Sequence, residues 1–320
     1  MRCSSRTSLP CLIAGVLLAS VVVANPASAS HYTFPGDAPY SVAKEKLDAA
    51  LACHGGSIDG SGQYQPVLLV HGTGVNRRLN WEWNYWPQLP KLGFDVCWIQ
   101  LPNEALGDIQ VSAEYVARAV QRMHKWSGEE IDILGHSQGG LVPRWAIKWF
   151  PAGRRVRDYI GLASPNHGTV VAETACLVGC FEAALQMGPD SKFVAALNAD
   201  NEIPSKIHYT NVYTTFDELV QPVGTSALED GTNILLQDLC PGRPVDHAGI
   251  AGDAVTYRLV IDALTNKGPA SVNRLPADVC SETTMPGWSP PPYDAWPGYD
   301  GGTETRREPP LKSYARDYAE

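Results

Sequence analysis

The stretch Ile131-Asp132-Ile133-Leu134-Gly135-His136-Ser137-Gln138-Gly139-Gly140-Leu141-Val142 constrains this chain more tightly than any other. An apolar run rich in β-branched residues leads into Gly135 and predicts a buried strand; the apolar stretch from Leu141 to Phe150 has helical character. Ser137 falls at the corner between them. A serine hydroxyl becomes a nucleophile only beside a base, and a strained turn is what lifts its Oγ clear of the backbone. Gly135 and Gly139 flank it on both sides, so that without Cβ atoms there a strand and a helix can pass close together.

A Gly-rich loop at a strand end would also satisfy Gly-x-Ser-x-Gly. With a strand before it and a helix after it, the pattern is the nucleophile elbow of α/β-hydrolases. The upstream sequence supplies a matching loop. The apolar run Pro66 to Val70 leads directly into His71-Gly72-Thr73-Gly74, where an α/β-hydrolase places one backbone donor of its oxyanion hole. Thr73 offers both an N–H and a hydroxyl for that purpose. The N–H of Gln138, the residue after the nucleophile, is the second donor.

Elements alternate along the rest of the chain. Phe94 to Ile99 reads as a strand; Asp108 caps a helix with apolar positions Ile109, Ala113, Val116, Val120 and Met123, closed by Gly128. Arg157 to Ser164 is the next strand, and Asp253 to Leu264 a later helix. The alternation predicts an α/β fold, mainly a parallel sheet with helices on both faces. Ser41 to Cys53 reads as a helical patch. Val170 to Leu197 is apolar and helical, either a small helical cap (about 170–206) or a helix covering the sheet. The aromatic run Asn80 to Pro87, with Trp81, Trp83 and Trp86, either rims an apolar pocket or packs a helix onto the sheet.

The base and its acid follow from chain order, which in this fold runs Ser, then Asp or Glu, then His. Thr210 to Phe216 reads as a strand ending on Asp217-Glu218, with Pro222 in the loop beyond. Asp217 is the best-placed acid, and His247 is the histidine downstream of it. Glu218 and Asp246 are rival acids. His167 is a fallback base whose upstream acid, Asp158, sits at the wrong end of its strand. Ser137, His247 and Asp217 would form an acyl enzyme and release it to water, with neither metal nor organic cofactor.

Composition sets the setting. Hydrophobic content of 44% and charged content of 18% are those of an ordinary globular protein. Arg2 and Arg6, the apolar run Leu12 to Ala24 and the small residues Ala27-Ser28-Ala29 read as a secretory signal peptide over residues 1–29, cut after Ala29. Its loss takes the 25 basic residues to 23 against 34 acidic ones, a net charge near −11 that disfavours nucleic acid as a partner. Six cysteines remain: Cys53, Cys97, Cys176, Cys180, Cys240 and Cys280. An even number in an exported chain predicts disulfides without fixing their pairing. Cys176-x-x-x-Cys180 lacks neighbours that would complete a metal site and reads as a local bridge.

Five segments, in order, resemble the lipase B family of fungi and its bacterial relatives: Leu68 to Gly74, Val96 to Ile99, Ser137 to Val142, Thr215 to Pro222 and Val245 to Gly249. The resemblance covers most of the chain from about Cys53 to Cys280. It implies an α/β-hydrolase fold, a triad of Ser137, Asp217 and His247, an oxyanion hole from Thr73 and Gln138, and disulfides Cys53 to Cys97 and Cys240 to Cys280, leaving Cys176 with Cys180. There are departures. The fungal elbow carries Thr and Trp where this chain has Gly135 and His136, and Asn166 stands where the fungal protein has an Asp. The expected protein is a monomeric, secreted triacylglycerol lipase or broad esterase with a catalytic domain over residues 30–280, making transient contact with lipid surfaces. An acyltransferase with the same triad, or a lipid-binding module on the same fold, are the alternatives. Residues 281–320 lie outside the resemblance and read as a Pro-rich surface tail.

Overall fold

The computed structural model describes residues 38–176, 180–203, 206–292 and 305–318, so the expected signal segment and its cleavage point lie outside the described residues. Seven strands, β1 (Leu51–Cys53), β2 (Val67–Val70), β3 (Val96–Ile99), β4 (Ile131–His136), β5 (Val156–Leu162), β6 (His208–Tyr213) and β7 (Thr232–Leu235), form one sheet. Their order is β1-β3-β2-β4-β5-β6-β7. All pairs are parallel except β1 with β3. From β2 the chain moves outward to β3 and then returns to the other side as β4. The direction of travel reverses there, and at such a point the loops beyond the strands' carboxyl ends open a crevice. Val70 pairs with Gly135 across β2 and β4, which brings the loop after Val70 beside the corner after His136.

Both faces of the sheet are covered, and β2 shows why. Side chains alternate along a strand, so Leu68 and Val70 enter one core while Val67 and Leu69 enter the other. The first core packs against the helices Ile109–Ser127 and Gln138–Trp149, through residues such as Val116, Val120, Leu141 and Trp145. The second packs against Ala254–Thr265 and the aromatic segment, through Val255, Leu259, Trp81 and Tyr85. Each fully buried aliphatic or aromatic side chain contributes about 2 kcal/mol relative to exposure. The helix Ile109–Ser127 begins where Asp108 accepts the N–H of Gln110 at 2.9 Å and ends at Gly128, which is left-handed at φ 78°.

Several elements depart from the sequence reading. The helical patch over Ser41 to Cys53 is a helix only from Lys44 to Ala49, and Leu51–Cys53 is the antiparallel edge strand. Cys53 is opposite Cys97 in that pairing and bonded to it, which ties these residues to β3. Strand β7 has no counterpart in the reading. Among its described residues, the run from Val170 to Leu197 holds three short helices, Val170–Ala175, Glu182–Gln186 and Lys192–Asn198. Cys176 is bonded to Cys180 and Cys240 to Cys280.

The tail is not all loose surface chain. Leu311 and Ala315 are buried, and Tyr314 packs against Trp145, Trp149 and Phe150. Glu308 accepts the N–H groups of Lys192 and Phe193, and Thr305 donates to the carbonyl of Cys180. The strap therefore reaches two of the segments between Val170 and Asn198. A Pro-rich composition hid three apolar anchors.

Candidate active site

Ser137 sits at the end of β4 with φ 57° and ψ −129°, a conformation L-residues rarely adopt. Neighbouring structure holds it there. Its N–H donates to Leu162 on β5 at 2.8 Å, and the helix Gln138–Trp149 starts at the next residue. The corner closes only over glycine. A Cβ on Gly135 would lie 2.0 Å from the carbonyl oxygen of Gly139, and one on Gly139 would lie 2.3 Å from that of Val70. The elbow glycines therefore serve close approach of backbone to backbone.

Asp217 follows β6 in a turn. Its Oδ1 accepts the N–H groups of Leu219 and Val220, both at 2.8 Å. His247 Nδ1 lies 3.0 Å from Oδ1 and 2.9 Å from Oδ2 of the same carboxylate. Burial would raise the Asp217 carboxyl, but the hydrogen bond and charge of His247, with the two backbone donors, hold it below the ordinary carboxylate range. Nδ1 thus carries the proton toward Asp217, leaving Nε2 with its lone pair. Ser137 and His247 line the same cavity, of about 480 Å³.

The rivals have other duties. Glu218 Oε2 accepts the backbone N–H of His247 at 3.1 Å, fixing the base rather than its ring. Asp246 accepts the N–H of Gly249 and closes the turn after the histidine. His167 pairs with Glu202 at 2.6 Å, which raises its pKa.

The loop after β2 is braced on both sides of Thr73. Gly72 donates to Asn80 Oδ1 at 2.9 Å and Gly74 to the carbonyl of Glu104 at 2.8 Å. His71 braces it from beneath, its Nδ1 bonded to the Gly72 carbonyl and its Nε2 accepting from the N–H of Leu101, each at 2.9 Å. Burial lowers the His71 pKa to about 4, so the ring is neutral and can do both. Among the described residues, no acceptor meets the backbone N–H of Thr73 or of Gln138, the latter in the open first turn of its helix. The Thr73 hydroxyl, read from sequence as a further donor to substrate, instead donates to Gln138 Oε1 at 2.5 Å.

The cavity wall is mostly apolar. Leu79, Trp83, Val171, Phe181, Met187 and Leu219 line it, so the segments after Val170 do form part of its wall. Of the three tryptophans in the aromatic run, Trp83 alone is in that lining. Trp81 is fully buried, and Trp86 stacks on Trp98 with ring centroids 3.6 Å apart. Asn166 is buried in a polar network with Arg144, Asn198, Asn211 and Ser226. Among the described residues there is no cluster of three or more His, Cys, Asp or Glu able to hold a metal.

Sequence reasoning missed the bracing roles of His71 and Asn80, and it weighed Glu218 only as a rival acid, not as the acceptor of the His247 N–H. Their roles are contacts between loops, which carry no local pattern. The single available signal was adjacency, since His71 and Glu218 each neighbour a residue already singled out.

The sequence model of class 2 lipases matches residues 64–237. The chain is 31% identical to lipase B of Pseudozyma antarctica over 326 residues, covering 96% of this chain and 94% of that protein. The crystal structure of Aspergillus fumigatus lipase B superposes with a TM-score of 0.78 at 29% identity, covering 91% of this chain and 77% of the other. A mature Bacillus licheniformis lipase shares the fold at a TM-score of 0.56 and 17% identity, covering 68% of this chain and 98% of its own.

Proposed function

From a chain that belongs to the class 2 lipase family, and is therefore a carboxylic ester hydrolase, we propose a lipase or broad esterase working through Ser137, His247 and Asp217. Asp217 holds the imidazole with Nδ1 protonated. His247 Nε2 takes the proton of Ser137 as Oγ attacks the acyl carbonyl, and the N–H groups of Thr73 and Gln138 receive the developing oxyanion. His247 then protonates the leaving alkoxide, and water, activated by the same imidazole, releases the acid. The observation that carries this reading is the bond of His247 Nδ1 to both oxygens of Asp217 beside a cavity that Ser137 also lines.

An apolar cavity of this volume suits an acyl chain, with Met187, Phe181 and Leu219 as wall. Val170, Phe216, Leu219 and Trp288 expose large apolar surface and suit transient contact with a lipid aggregate. Three disulfides fit an oxidising compartment, in keeping with export as a monomer after cleavage at Ala29. The test is hydrolysis of short- and long-chain p-nitrophenyl esters by the secreted form, with Ser137→Ala beside it. Losing the nucleophile should cost on the order of a millionfold in turnover. Equal activity in both proteins would sink the mechanism, and the chain-length profile separates lipase from esterase.

A further inference from the structure

We propose that His136 is a positioning residue for His247, latching the backbone of the base to the elbow; this rests on the triad reading above. The residue just before the nucleophile ends β4, and its ring turns toward the loop that carries His247. Its Nε2 lies 2.9 Å from the carbonyl oxygen of His247 and its Nδ1 3.3 Å from Asn80 Oδ1. A backbone carbonyl can only accept, so the shorter contact places the ring proton on Nε2 and makes His136 the donor.

No other donor reaches that carbonyl among the described residues. His247 is thus held at three points. Asp217 holds its ring, Glu218 its N–H and His136 its carbonyl. The third point is attached to the element that presents Ser137, so it sets the base relative to the nucleophile rather than relative to its own loop. Asn80 is a neighbour rather than a further link: its Oδ1 accepts the N–H of Gly72, and the Nδ1 of a ring protonated on Nε2 has no proton to give it. Packing fixes the ring. It meets Trp81 edge-on, with centroids 6.4 Å apart at 76°, and its own centroid is 5.1 Å from that of His247.

Burial, together with the nearby His247, pushes the His136 pKa down to about 3, so the latch is a neutral donor. It adds no second positive charge beside the imidazolium that His247 becomes during attack. An error of about 1 Å in the placement of such a group can cost about a hundredfold in rate.

His136→Met and His136→Gln test this, being side chains of equal length of which only Gln carries an N–H. Both are assayed on p-nitrophenyl butyrate with wild type and Ser137→Ala, alongside thermal melting and active-site counting with a phosphonate ester. The Met variant should lose about tenfold in kcat with KM within threefold of wild type, the loss of one hydrogen bond. Gln should recover kcat to within threefold. Should the Met variant not fold, His136→Leu takes its place. A Met or Leu variant within twofold of wild type in kcat, or Gln falling as far as Met, overturns the latch. An inactive wild type, or a fully active Ser137→Ala, instead removes the triad reading and the inference with it.

Discussion

Asp217 Oδ1 accepts three donors at once, the N–H groups of Leu219 and Val220 and the ring Nδ1 of His247, while Oδ2 accepts His247 again. The carboxylate is oriented by its own turn before it orients the imidazole. Asp217→Asn should therefore leave the fold and substrate binding nearly unchanged yet lower kcat by about ten-thousandfold, because an amide stabilises the wrong tautomer. Glu218→Gln, which still accepts the N–H of His247, should cost less than tenfold. Steady-state kinetics on one ester decides it, and a larger loss for Glu218→Gln than for Asp217→Asn would reverse the assignment of the acid.

Ser137 stores backbone strain at φ 57°. Such a residue costs about 1–3 kcal/mol in stability, and glycine adopts the same conformation freely. Ser137→Gly should therefore melt above Ser137→Ala, although both are inactive. Calorimetry on the two variants is sufficient, and an Ala variant at or above the Gly variant would count against strain at the elbow.

Gly135 and Gly139 were legible in the sequence because the elbow is local: five residues carry both the chemistry and the close approach that it requires. The meeting of Asp217 with His247 was legible by chain order, since a parallel sheet delivers successive strand ends to one edge. The contacts of His136 were not. Asn80 and His247 lie 56 and 111 residues away from it, and no spacing encodes a meeting made by folding. The same holds for β1, whose three residues read as the end of a helix until the pairing of Cys53 with Cys97 holds them as an edge. In the tail, Leu311, Tyr314 and Ala315 stand at i, i+3 and i+4, but Pro309-Pro310 and the charged residues around them masked a helical face only one turn long.

The helix Lys192–Asn198 is capped at both ends by distant groups. Glu308 receives its first N–H groups, and Lys148 Nζ donates to the carbonyls of Ala196, Leu197 and Ala199. Removing a cap of this kind costs about 1 kcal/mol. Glu308→Ala should speed amide exchange in residues 192–198 several-fold while leaving exchange in β4 and β5 unchanged. Uniform acceleration across the chain would mean that the strap stabilises the whole domain rather than this helix.

His136 also sets a sign for the response to acid. Its folded pKa, lowered to about 3 by burial and by His247, is below the ordinary histidine value of 6.5. As pH falls below about 6.5 the unfolded chain takes up a proton that the folded protein refuses, so the stability present above pH 6.5 is progressively lost down to about pH 3. His71, lowered to about 4 by burial, acts in the same direction. Burial lifts the carboxyls of Asp132 and Asp158, and these work the opposite way by binding protons in the folded state first. The total slope therefore mixes both signs, and a difference between two proteins isolates one of them. Between pH 7 and pH 5, wild type should lose about 2 kcal/mol more than His136→Gln, which has nothing to titrate there. Urea unfolding of both proteins at the two pH values measures that difference; parallel losses would show that His136 takes up a proton as readily in the folded protein as in the unfolded one.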